Sequence, residues 1–149
     1  MLSQPNESEA ISHRQRRYIA RAKRAYRLTA RMKGTMNEKT IRELAVELTV
    51  ETTAVCEGIK GKSVFVNQLL RACSSIGANA HEAKYAQSRA DFVNKMEIAL
   101  KESYETEYWL EILFKIGALD ETVYKKLNGK CDMIRRKLIA SIKTAKRIS

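Results

Sequence analysis

From Ile41 onward, apolar residues return every third or fourth position, the spacing that lines one face of an α-helix. The first run is Ile41, Leu44, Ala45, Leu48, Thr52, Val55 and Cys56, closed by Gly58 and Gly61. A second opens after Ser63, whose hydroxyl suits an N-cap, and takes Phe65, Leu69, Ala72, Cys73, Ile76, Ala80 and Ala83. Ser88 with Asp91 three residues on has capping-box spacing, which predicts a turn over 86–88. The third stripe follows as Phe92, Met96, Ala99, Leu100, Ser103, Leu110, Leu113 and Phe114. Gly117 as a C-terminal cap and Asp120 as the next N-cap make the last connection short. The fourth stripe is Val123, Leu127, Cys131, Ile134, Leu138, Ile142 and Ala145. No segment sustains period-two alternation, so the expected class is all-α. Three short connections between four amphipathic helices force sequential neighbours to run antiparallel, an up-down-up-down four-helix bundle. The third and fourth helices, each about 40 Å long, outrun the first and leave a stretch for the N-terminal segment or another subunit to cover.

Composition agrees with one folded domain: 149 residues, 44% hydrophobic and 30% charged, with a single proline. No apolar run approaches the roughly 18 residues of a membrane span. Cys56, Cys73 and Cys131 each fall inside an apolar pattern and form no CxxC pair, which predicts free thiols and a reducing, cytoplasmic setting. The opening MLSQPNESEAISH lacks the apolar stretch of a secretory signal.

Charge changes the picture more than composition does. The net charge of +11 is concentrated toward the two ends of the chain. Residues 1–35 carry +7, residues 36–120 carry −3 and residues 121–149 carry +7. We therefore divide the chain into a basic N-terminal extension, 1–35, helical from about residue 12, and a bundle domain, 36–149. In the extension Tyr18, Ile19, Ala22, Ala25, Tyr26, Thr29 and Met32 recur at helical spacing among Arg14, Arg16, Arg17, Arg21, Arg24, Arg27 and Arg31. So many guanidinium groups without interspersed acids repel one another unless a counter-charge is present, which points to a nucleic-acid arm because guanidinium pairs well with phosphate, the alternative being a solvated helix docked on the bundle by its tyrosines. On the fourth helix Lys126, Lys130, Arg135, Arg136, Lys137, Lys143, Lys146 and Arg147 add a broad basic surface, suited to phosphate contact more than to base readout.

The second helix contains an interruption, QLLRACSSIGANAHEA, in which Ser, Gly and Asn lower helix propensity and require compensation. This segment, with Arg71, Ser75, Ile76, Gly77, Ala78, Asn79 and Glu82, and the segment ALKESYETEYWL over Ala99–Leu110 resemble the bacterial four-helix-bundle proteins encoded in intervening sequences of large-subunit ribosomal RNA genes. The resemblance covers about residues 36–149. It implies a left-handed bundle that assembles as a ring-like homo-pentamer. It also implies a distant relation to the accessory variability determinant of diversity-generating retroelements, whose members bind a reverse transcriptase and nucleic acid. The extension before Met36 and His81 depart from the family pattern. In this light Ser74, Gly77 and Ala78 let a neighbouring helix approach closely, and Arg71, Ser75, Asn79 and Glu82 form a polar seam within the bundle or between subunits.

Catalytic signals are weak. His81 and Glu82 are adjacent and project apart; there is no HExxH pattern, no Glu-x-x-His pair for a carboxylate-bridged metal and no phosphate-binding glycine loop. Cys73 and His81 stand about 12 Å apart along a helix. Glu97 with Lys101 and Glu111 with Lys115 read as exposed i, i+4 pairs, and Tyr104, Tyr108 and Trp109 as core or subunit interface. The expected function is a non-enzymatic, homo-oligomeric, nucleic-acid-binding accessory without metal or cofactor, serving a reverse transcriptase. The alternative is an interaction module for an acidic protein partner.

Overall fold

The structure is a computed structural model that describes residues 38–147 together with Arg16 and Ala20. Within that body the helices are α1 (Ile41–Cys56), α2 (Ser63–Ala83), α3 (Arg89–Lys115) and α4 (Glu121–Arg147). Each packs on two neighbours in the cyclic order α1, α2, α3, α4, back to α1, and no diagonal pair packs comparably.

The pairings establish direction. Ala45 meets Gly77 while Thr49 meets Cys73, so α1 and α2 run opposite ways. Arg71 with Glu105 and Lys95 with Glu82 do the same for α2 and α3, and Arg135 with Glu107 and Lys146 with Glu97 for α3 and α4. Glu47 with Lys130 and Glu51 with Lys126 close the ring between α1 and α4. The expected antiparallel four-helix bundle is the observed fold.

The stripes become the core. Leu44, Leu48, Leu69, Ile76, Leu110, Leu113, Leu127, Ile134 and Leu138 are fully buried, and burying each such side chain contributes about 1.5–3 kcal/mol. Thr106, unassigned in the third stripe, is buried with them because its hydroxyl donates back to Glu102 O at 2.8 Å. Helix ends depart from expectation in two places. The N-cap of α2 is Lys62, without a side-chain bond, and Ser63 is already helical. At α3, Ser88 Oγ accepts from Asp91 N at 3.1 Å, but the Asp91 carboxylate reaches past the cap to Gln87 N at 3.2 Å. Asp120 caps α4 as expected through Val123 N at 2.9 Å. Gly117, at φ 75°, closes α3 with Ala118 N donating to Leu113 O and Gly117 N to Phe114 O, a Schellman arrangement that needs the left-handed residue.

An even number of antiparallel helices brings the last of them back to the end of the bundle where α1 starts. The start of α1, the α2–α3 turn and the end of α4 share one end of the bundle; the α1–α2 and α3–α4 connections share the other.

Candidate nucleic-acid interface

The basic residues of α4 sort by their place on the helix. Lys130 lies on the α1 side, where its side chain is 6% exposed; its ammonium sits 3.1 Å from Glu47 Oε2 and 3.0 Å from Glu51 Oε1. Lys39, just before α1, holds the other oxygen of Glu47 at 2.7 Å, and Lys126 approaches Glu51 at 3.3 Å. Burial raises the Glu47 carboxyl above its usual range, opposed by its hydrogen bond and charge contact with Lys130. Lys130 is therefore corrected from surface contact to internal clasp: the same three-and-four spacing that placed it on a basic edge turns it toward two α1 carboxylates.

Arg135 is also drawn in. Its guanidinium binds Glu107 at 2.7 Å and lies 4.5 Å over the Tyr104 ring, leaving the side chain 12% exposed. Arg136 is exposed but bonded to Asp132 one turn back. Lys137 is half-buried, and Lys143, Lys146 and Arg147 are exposed on the last turns, where Lys146 Nζ meets Glu97 at 2.6 Å. Glu97 thus pairs across to α4 instead of along its own helix with Lys101, whereas Glu111 and Lys115 keep their i, i+4 pair at 2.8 Å.

The exposed cations of the last α4 turns stand at the end of the bundle that also carries Arg42 at the start of α1 and Lys84 and Arg89 at the α2–α3 turn, all exposed. The described body also begins at this end, at residue 38 just before α1. Arg16 is helical and exposed; Arg14, Arg17, Arg21, Arg24, Arg27 and Arg31 lie outside the described residues.

The polar seam is realised in part. Arg71 on α2 binds Glu105 and approaches Glu102 on α3 at 3.8 Å, and Glu105 also accepts from Trp109 Nε1 at 3.3 Å. Glu82 binds Lys95 of α3. Asn79 instead donates to Ser75 O in its own helix at 2.9 Å. Of the small residues, Gly77 makes the close approach: a Cβ there would stand 3.3 Å from Ala45 Cβ, while Ser74 and Ala78 are exposed.

Among the described residues no group of three or more His, Cys, Asp or Glu side chains converges as a metal site, and no helix is long and apolar enough to cross a membrane. Tyr104 and Tyr108 are half-exposed on the outside of α3; Trp109 is half-buried between Tyr108 and Phe65.

By architecture the chain is a small all-α antiparallel bundle whose surface chemistry is carried by charged side chains. Residues 37–140 match the 23S rRNA-intervening sequence protein model, and the chain belongs to that family. It is similar to a crystallised protein of unknown function from the S23 ribosomal protein family of Bacteroides thetaiotaomicron, at 40% identity over 69% of this chain and 95% of that one, with a TM-score of 0.66. The comparison with curated proteins gives no match.

Proposed function

We propose that this chain is a non-enzymatic accessory protein that binds nucleic acid through the basic end of its bundle, with the N-terminal extension and the last turns of α4 acting on one ligand. The observation that carries this reading is topological: the start of α1, which the +7 extension precedes in sequence, and the last turns of α4 with Lys143, Lys146 and Arg147 share one end of the bundle. Concentrated cations on a folded scaffold attract a polyanion and release its counterions on binding. The resemblance to the intervening-sequence bundle proteins supports assembly as a homo-oligomer, five copies in a ring, and their distant relation to the retroelement group supports service to a reverse transcriptase. Repetition of one basic end around such a ring multiplies weak phosphate contacts by avidity.

The test is a salt titration of the full chain, stripped of polynucleotide, against a fluorescent RNA and a DNA of equal length. Log affinity should fall steeply with log salt. Replacing Arg21, Arg24, Arg27 and Arg31 by Gln should weaken binding and flatten the slope by about 0.7–0.9 for each phosphate that is no longer neutralised. Unchanged affinity and slope would remove the extension from the mechanism. Binding that persists in excess polyanion would instead favour an acidic protein as partner.

A further inference from the structure

The α2–α3 turn carries an aromatic side chain that the core does not explain. Tyr85 is 74% exposed, the most exposed aromatic among the described residues. Its backbone is nevertheless fixed: Tyr85 N donates to Glu82 O at 2.9 Å, and Lys84 and Ala86 close the flanking turns on His81 O and Ala83 O. His81, one helical turn earlier, meets the ring at 5.4 Å between centroids and 75° between planes, bracing it while leaving most of its surface to solvent.

Two exposed basic side chains flank it in sequence. Lys84 precedes the tyrosine and Arg89 follows four residues later, both exposed. The two acids of the turn are engaged elsewhere, Glu82 with Lys95 and Asp91 with the Gln87 N–H. The turn lies at the basic end, with Lys143, Lys146 and Arg147 of α4. Tyr104 is covered by the Arg135 guanidinium at 4.5 Å and Tyr108 packs edge-on against Trp109, so neither ring is as open as that of Tyr85.

We propose that Tyr85, braced by His81, is a stacking platform for an unpaired base, with Lys84 and Arg89 receiving the adjoining phosphates, so that the ligand is a single strand or a loop in preference to plain duplex. A base in a duplex keeps its face in its own stack; an unpaired base offers it, and stacking on an aromatic ring contributes about 1–3 kcal/mol per base. A ring held in a fixed turn loses little freedom on binding. This inference rests on the nucleic-acid reading and narrows it.

Fluorescence anisotropy on the full-length protein tests it, using a 20-nucleotide oligouridylate and a 20-base-pair RNA duplex at several salt concentrations. Tyr85→Ala should weaken single-strand binding about tenfold, about 1.4 kcal/mol, with the salt slope and duplex affinity unchanged, and Tyr85→Phe should bind as the parent does. Far-UV circular dichroism checks that both variants keep the helical content. Equal single-strand affinity for parent and Tyr85→Ala, equal losses on single strand and duplex, or a loss shared by Tyr85→Phe would each overturn the platform while leaving the accessory role standing. Failure of the parent to bind either ligand would overturn both.

Discussion

Cys73 shows how far a single residue's position determines its chemistry. The sequence places three cysteines in apolar stripes, and all three are buried. Burial pushes the Cys56 and Cys131 thiols up to about 12 and raises Cys73 as well, the last against hydrogen bonds with Thr49 and Thr52. A thiol with a raised value stays protonated at neutral pH and is a poor nucleophile. At pH 8 the native protein should therefore react negligibly with a disulfide reagent and reveal three thiols in guanidinium; fast reaction of any one without denaturant would contradict the packing. Gly77 makes the complementary point about space. Alanine there gains about 1 kcal/mol in helix propensity but must push Ala45 Cβ from 3.3 Å, so Gly77→Ala should be near neutral by thermal melting. Gly77→Val should cost about 1–3 kcal/mol through overpacking. The helix-lowering composition of this stretch was visible in the chain itself. Which small residue bears the contact was not, because Ser74, Gly77 and Ala78 share a propensity argument and differ in which way they face.

Between elements, the α1–α4 seam departs most from what periodicity predicts. Helical spacing located Lys130 correctly on α4, but spacing within one helix carries no information about the carboxylates of another, and Glu47 and Glu51 are about eighty residues away in sequence. The same blindness applies to Glu97, whose partner is Lys146 and not the nearer Lys101. Local signals fared better: the capping residues Ser88 and Asp120 and the Schellman glycine act over three or four residues, and the Thr40 to Glu43 capping box that opens α1 has the same legible spacing. Lys130 bridges Glu47 and Glu51, and its loss leaves them to Lys39 and Lys126, so Lys130→Met should destabilise the fold by about 1–3 kcal/mol in urea. Replacing Glu47 by Leu in the same chain should recover much of that deficit. The pH dependence has a definite sign. A carboxyl raised by burial binds its proton more tightly in the folded than in the unfolded chain, so its ionisation costs stability as pH rises above about 4.5. Without Lys130 that cost grows. The deficit of Lys130→Met relative to the parent should shrink as pH is lowered through the carboxylate range, and a constant deficit would contradict the clasp.

For the whole molecule, the decisive property is that α1 begins and α4 finishes at the same end of the bundle. Net charge alone described a polar distribution along the sequence; the even, antiparallel helix count sets Lys143, Lys146 and Arg147 at the same end as the start of α1, with the opposite end carrying Glu57, Glu111 and Glu121 near Lys60, Lys62, Lys115 and Lys125. The fold itself could be read from four stripes and three turns because a bundle is specified by short-range periodicity. The proposed interface could be read only to the level of charge, since Lys130 is buried and Arg135 nearly so, and no spacing rule draws attention to Tyr85 at the α2–α3 turn. The most direct measurement uses a ligand shorter than the bundle: a single strand of about eight nucleotides, roughly 27 Å in stacked form, against helices of about 40 Å. Its affinity for the full chain, freed of polynucleotide, should fall and its salt slope flatten when the extension's arginines are replaced by Gln, and again when Lys143, Lys146 and Arg147 are. A strand that remains unbound in dilute buffer, or that senses one set of substitutions and ignores the other, would contradict a shared phosphate-binding end.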